Sequence, residues 1–178
     1  MDVPILFEVP DFNAIEGKKE IWSYPNQMML GGANANAGRY CTGLLPFVTP
    51  VCGILPWQLM RARGNSPIRA GLWEMLTPRG TGGYRVIPRL VTVLGEVGVT
   101  DQRYFATLRR LVASARNGTA EQRHVAGRQQ MLLDMIREGT KPSFMYYHYN
   151  GHLPAETYET VRARLTDGIL ALRKAGVR

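Results

Sequence analysis

The sequence predicts a mainly α fold, a small helical domain of about three to five helices with antiparallel C-terminal helices and an extended Gly/Pro-rich N-terminal arm. Three observations carry this. Beyond residue 100 the apolar residues recur in three successive runs at the helical period. The runs are bounded by capping residues and glycine exits. Before residue 40, in contrast, Pro4, Pro10 and Pro25 interrupt every candidate element, and the stretch from Gly31 to Gly38 is too small and flexible to build a core.

Taken in order, residues 1–40 read as an arm. A segment of this composition stays ordered only when something holds it, and neighbouring chains are the expected support. Residues 41–63 form an apolar segment, uncharged from Cys41 to Met60 and flanked by Arg39, Arg61 and Arg63. Its length would span a bilayer as a helix, but Pro46, Pro50 and Pro56 each remove a backbone donor that lipid cannot replace. A buried or subunit-contacting segment is the leading expectation. An interfacial one, with Trp57, Arg61 and Arg63 as membrane-interface or contact residues, is the alternative.

Residues 64–178 read as a basic helical domain. Ser66 and Pro67 suit the start of a helix over 66–76, with Ile68, Leu72, Met75 and Leu76 on one face. A glycine-rich turn follows at 79–83. Residues 84–94 carry the β-branched content of a strand, but the run from Leu90 to Leu94 does not alternate, so a short helix ending at Gly95 is expected. Thr100 is then expected to cap a helix over 101–116, in which Tyr104, Phe105, Leu108, Leu111, Val112 and Ala115 share a stripe. Asn117-Gly118 supplies a left-handed exit. Thr119 and Gln122 fit a capping box that opens a helix to about residue 138, with Val125, Leu132, Leu133 and Ile136 inward. A connection this short makes the two helices antiparallel neighbours. A third helix is expected over 154–175, with Tyr158, Val161, Leu165, Ile169 and Leu172 inward and Gly176 at its exit. Gly168 beside that stripe permits close approach of another helix. Between the second and third helices, Asn150-Gly151 signals a hairpin carrying Phe144, Tyr146, Tyr147 and Tyr149.

The composition, 45% hydrophobic and 20% charged over 178 residues, excludes a disordered chain and a multi-span membrane protein. The net charge of +8 is unevenly placed. Residues 1–60 hold three bases against five acids, and all the rest of the excess lies beyond them. Arginine supplies 18 of the 22 bases. A guanidinium binds phosphate or carboxylate through two bonds at once, so the preference points to anionic partners, unless codon usage alone explains it. Cys41 and Cys52 are too few for a disulfide framework. The opening Met-Asp-Val-Pro carries neither a signal peptide nor an amphipathic presequence, which favours an intracellular location, an organelle such as the mitochondrial inner membrane being reachable by an internal signal.

The candidate partner- or anion-binding residues are therefore Arg103, Arg109, Arg110, Arg116, Arg123 and Arg128, brought to one broad surface by the antiparallel helices. Arg137, Arg162, Arg164, Arg173 and Lys174 follow on the same elements. The bland alternative is a solvated face with ion pairs to acids such as Asp134, Glu138 and Glu159. The tyrosine-rich hairpin could stack on unpaired bases, but more often such residues fill an interface. His148 and His152, with Cys41 and Cys52, have the wrong spacing for a zinc site. No nucleotide-binding loop, nucleophile elbow or metalloprotease signature occurs, so no catalytic residue, cofactor or small-molecule substrate is expected. An enzyme would need a polar pocket among Asp101, His124 and His148. The reading that results is a non-catalytic structural or accessory subunit of a large assembly, such as a membrane-associated organellar complex, held to other protein subunits through its arm and apolar segment. The alternative is an RNA-associated structural protein of ribosomal or nucleocapsid type; anionic lipid is the remaining partner class.

Overall fold

The structure, a computed structural model, describes residues 5–7, 21–24, 36–54, 60–62, 73–76, 85–88, 90–140 and 153–178. Its body is mainly α. Four helical elements build it: α1 over residues 36–48, α2 at Leu90–Ala115, α3 at Ala120–Thr140 and α4 at Ala155–Lys174. Short strands precede and interrupt them. β1 (Ile5–Phe7), β2 (Ile21–Tyr24) and β3 (Val51–Ile54) pair in parallel in that order. β4 (Met60–Ala62) runs parallel to β5 (Trp73–Leu76), which pairs antiparallel with β6 (Arg85–Pro88).

Two expected helices are thereby corrected. The expected helix over 66–76 ends as strand β5, with residues 66–72 outside the described residues. The expected helix over 84–94 divides into β6 and the start of α2, because Val86 and Ile87 favour a pleated partner and find one in β5. The tyrosine-rich hairpin, with His148 and His152, lies outside the described residues.

α1 joins the end of the expected arm to the start of the expected apolar segment in one rod. It begins as α-helix (Asn36–Arg39), widens to a π-helical turn (Tyr40–Leu44) and returns to α-helix (Leu45–Val48). Pro46 has no N–H to give to the preceding turn, and the ladder widens there, with the Leu45 N–H reaching back to the Tyr40 carbonyl. Thr49 ends the rod in an extended conformation, its hydroxyl donating to the Leu45 carbonyl at 2.7 Å. Residues 41–60 are thus no continuous helix, and among the described residues no helix is long and apolar enough to cross a membrane.

The glycines at 95 and 98 do not break α2, and Gly98 lets α1 touch it. A Cβ on Gly98 would strike the Arg39 carbonyl at 2.5 Å and the Thr42 side chain, and one on Gly43 would meet the Gly98 carbonyl at 2.9 Å. Thr42 donates across this crossing to the Gly95 carbonyl at 2.6 Å. Packing of backbone on backbone offsets the helix-propensity cost of two glycines. Thr100, expected as a cap, therefore sits inside α2.

The expected stripes face inward. Phe105, Leu108, Leu111, Val112 and Ala115 of α2 meet Val125, Leu133 and Ile136 of α3 and Tyr158, Leu165 and Leu172 of α4 in one core with Tyr40, Leu44, Leu45 and Phe47 of α1. Phe47 stacks on Phe105 with ring centroids 4.0 Å apart. The termini follow local chemistry. Thr119 and Gln122 form the capping box, the Gln122 N–H donating to the Thr119 hydroxyl at 3.2 Å and the Thr119 N–H to the Gln122 side-chain oxygen at 2.9 Å. The Gln122 side chain lies over Gly118, which is not left-handed as expected; a Cβ there would collide with it. α4 exits through Gly176 at φ +81°, with Val177 donating to Leu172 and Gly176 to Arg173, both at 3.0 Å. Gly168 permits the expected close approach: its missing Cβ would fall 2.5 Å from the Gln129 side chain of α3.

Candidate functional site

The arginines of the body divide into two sets. The first is buried. Arg39 of α1 is 4% exposed and grips Asp101 of α2 with two nitrogens, at 2.7 and 3.3 Å. Arg162 of α4 binds the same carboxylate at 2.6 Å and the Val97 carbonyl at 3.3 Å. Arg39 reaches Glu159 of α4 at 2.6 Å and lies over the Tyr158 ring, 4.9 Å from its centroid. Two bases and two acids thus balance at the junction of α1, α2 and α4. Burial alone would lower the Arg39 pKa, but its hydrogen bonds to Asp101 and Glu159 prevail and raise it. The hydrogen bond from Arg39 holds the Glu159 carboxyl below its ordinary range.

Sequence reasoning considered Asp101 only for a polar pocket and placed Arg162 on a basic face; both belong to this cluster instead. Its members are far apart in the chain, and a lone charge in sequence reads as exposed. The reactive arrangement considered for Asp101, His124 and His148 is not assembled by the described residues. Both Asp101 oxygens are taken by arginine, His124 is exposed on α3, and His148 lies outside the described residues. Nor is Cys41 poised to react, since complete burial pushes its thiol up to about 12.

The second set lines a groove. α2 and α3 diverge on one side to leave a cavity of about 560 Å³, walled by Arg109, Arg110 and Arg116 from α2 and Arg137 from α3. Phe47, Val112 and Leu133 contribute its apolar lining, with Ala106, Ala113 and Gln130 between. An adjoining hollow of about 290 Å³ shares Val112, Arg116 and Gln130 and adds Arg123, Ala126 and Gly127. Among the described residues, no acidic residue lines either space. Among the described residues, Arg109, Arg110 and Arg116 make no side-chain hydrogen bond or ion pair. Arg123 donates to the Gly118 carbonyl at 2.6 Å, and Arg137 stands 4.0 Å from Asp134, at the outer limit of an ion pair.

Of the six arginines singled out from sequence, the structure brings Arg109, Arg110, Arg116 and Arg123 to this groove. Arg103 and Arg128 are exposed and line neither space. Arg61 is paired through its backbone opposite Glu74, while Trp57 and Arg63 lie outside the described residues. Among the lining residues outside the sequence selection, Arg137 and Phe47 stand out. Arg137 flanks the Leu133–Ile136 stripe as Arg116 flanks Val112, a signal that was there to be used. Phe47 had none, because its place beside α2 and α3 is set by the course of α1.

An apolar trough with guanidinium walls can hold a ligand that presents apolar groups and anions side by side. Bare nucleic acid fits less well. The lining holds one aromatic ring, Phe47, which is 5% exposed, with Phe105 stacked on it and the Arg137 guanidinium 5.2 Å from its centroid. Comparisons with family models, with curated proteins and with solved structures find no match to this chain, so the groove is read from its own geometry.

Proposed function

We propose that this chain is a non-catalytic accessory subunit of a larger protein assembly, engaging a neighbouring subunit through the groove between α2 and α3. The observation that carries the reading is the crowd of arginines over an apolar lining with no acid in it. Like charges held together repel, and among the described residues no carboxylate pairs with Arg109, Arg110 or Arg116; an acidic protein surface would. The buried cluster marks the contrast, since arginines that serve the fold are each matched there to carboxylates. A membrane-seated placement draws less support, because the first part of the apolar segment, from Cys41 to Val51, is consumed largely by the chain's own core.

The test follows the full chain, at its natural level, through sedimentation of gently lysed source cells. The expected result is migration in a nuclease-resistant particle larger than the monomer, with the variant carrying Arg109→Ala, Arg110→Ala and Arg116→Ala released toward the monomer position. Migration of the unaltered chain as a free monomer would overturn the proposal. Collapse of the particle on nuclease treatment would replace it with the RNA-associated reading, for which affinity should fall steeply with salt.

A further inference from the structure

We infer that the occupant of the groove is an acidic amphipathic α-helix of a partner protein, about three turns long. This rests on the subunit reading above and names the partner's chemistry. The shape of the walls supplies the first argument. α2 presents Ala106, Arg109, Arg110, Ala113 and Arg116 to the groove, spaced i, i+3, i+4, i+7 and i+10. α3 presents Gln130, Leu133 and Arg137 at i, i+3 and i+7. These are the spacings one helix shows to another. α4 packs against both α2 and α3, yet no α4 residue lines the groove. It occupies one side of the pair, and the groove lies on another, where among the described residues only Phe47 of α1 joins α2 and α3 and a further bundle helix would fit.

Length and chemistry agree. From Ala106 to Arg116 the wall rises about 15 Å, which matches about ten residues of helix. Ala106 and Ala113 are small enough for a helix backbone to come close. Gly127 of the adjoining hollow adds to this, with nothing within 4 Å of where its Cβ would stand. The exposed alanines of the lining, Ala106 and Ala113, laid over the buried Val112 and Leu133, call for apolar groups on one face of the ligand. The arginines on both walls call for carboxylates beside those anchors. An extended peptide would turn alternate side chains away from the trough and reach fewer of these groups.

The experiment uses the full chain and a labelled, stapled peptide of about 14 residues, enough for nearly four turns. It carries leucines at helical spacing flanked by glutamates. Three comparison probes are an isomer of the same composition with leucine and glutamate alternating, an oligouridylate, and vesicles containing phosphatidylglycerol. Binding is read by fluorescence anisotropy, or by co-sedimentation for vesicles, at about 150 mM salt, where distant charges are screened. The helical peptide is expected to bind at least roughly tenfold more tightly than its isomer, a margin that apolar phasing can supply. Arg109→Ala with Arg116→Ala should weaken it by a similar factor. Ala113→Leu, which fills the trough at constant charge, should weaken it as well, with the circular dichroism spectrum unchanged.

Equal binding of the two isomers would overturn the inference, because charge alone would then be at work. So would tighter binding of oligouridylate or vesicles, or indifference of the helical peptide to both groove variants. If the helical peptide fails while the chain still migrates in a nuclease-resistant particle, the subunit reading survives and the helical partner does not. If the chain is a free monomer in extracts but binds the helix through the groove, the partner chemistry stands and the subunit reading falls.

Discussion

Arg39 and Arg109 are the same residue in opposite circumstances. Arg39 is withdrawn from solvent among Asp101, Glu159 and Tyr158, where every charge has a partner. Arg109 stands exposed beside Arg110 and Arg116, where none has. The first arrangement ties three helices together; the second contributes nothing to the fold that a neutral residue could not. Overall basicity is therefore a poor guide to function in this protein. What separates the two sets of arginines is the presence of a carboxylate within reach, and that is a property of packing.

The largest expected effect falls on the buried side. Asp101→Asn leaves Arg39 and Arg162 facing a neutral amide and should cost about 3–5 kcal/mol, the usual loss when one partner of a buried pair is removed. Urea denaturation measures it; a loss below about 1 kcal/mol would mean the cluster is no tighter than a surface pair. Next comes the crossing that delivers Arg39 to Asp101. Gly98→Ala drives a methyl into the Arg39 carbonyl and should cost about 1–3 kcal/mol by overpacking. Gly127→Ala, where space is open, should instead stabilise by about 0.5–1 kcal/mol through helix propensity. Equal effects at the two glycines would argue that the close approach of α1 and α2 is absent.

Smaller still is the pH effect at the rim of the cluster. The Glu159 carboxyl is held below its ordinary value of 4.5 by the hydrogen bond from Arg39. Its contribution is fully present above that ordinary value and is lost as the pH falls through the lower folded one. Because the side chain is 62% exposed, the amount is about 0.2–1 kcal/mol. Glu159→Gln should flatten the acid limb of a stability–pH profile by that much and leave the neutral region nearly parallel. The least change is expected from the combined replacement of Arg109, Arg110 and Arg116 by alanine. Stability should move by no more than about 0.5 kcal/mol per site, toward greater stability if repulsion dominates. A large loss would place these arginines with Arg39 and erase the contrast.

Much of the helical body was legible residue by residue. The stripes of α2, α3 and α4, the capping box at Thr119 and Gln122 and the exit through Gly176 all depend on neighbours within a few positions, and their chemistry is written locally. The groove was half legible. Four of its arginines were singled out from the sequence, but Arg103 and Arg128 were singled out with them and line neither space. The start of α2 was misread because Gly95 looks like a helix exit, and nothing nearby in the chain shows that Gly98 admits the α1 backbone. α1 was misread for a related reason. A run of small residues beside Arg39 resembles a flexible arm until Asp101, 62 positions away, is placed against it.

The sequence by itself determined where the last three helical stripes lie, how two of their ends are capped, and that the excess of positive charge belongs to the part of the chain that carries them. Periodicity and capping are short-range effects, so a linear reading suffices for them. Only the tertiary structure decided which arginines are neutralised and which side of the α2–α3 pair holds the groove. It also decided that residues 36–48 belong to the core. Those outcomes turn on charges and backbones brought together from distant positions, where the free energy of a side chain depends on what packing has placed beside it.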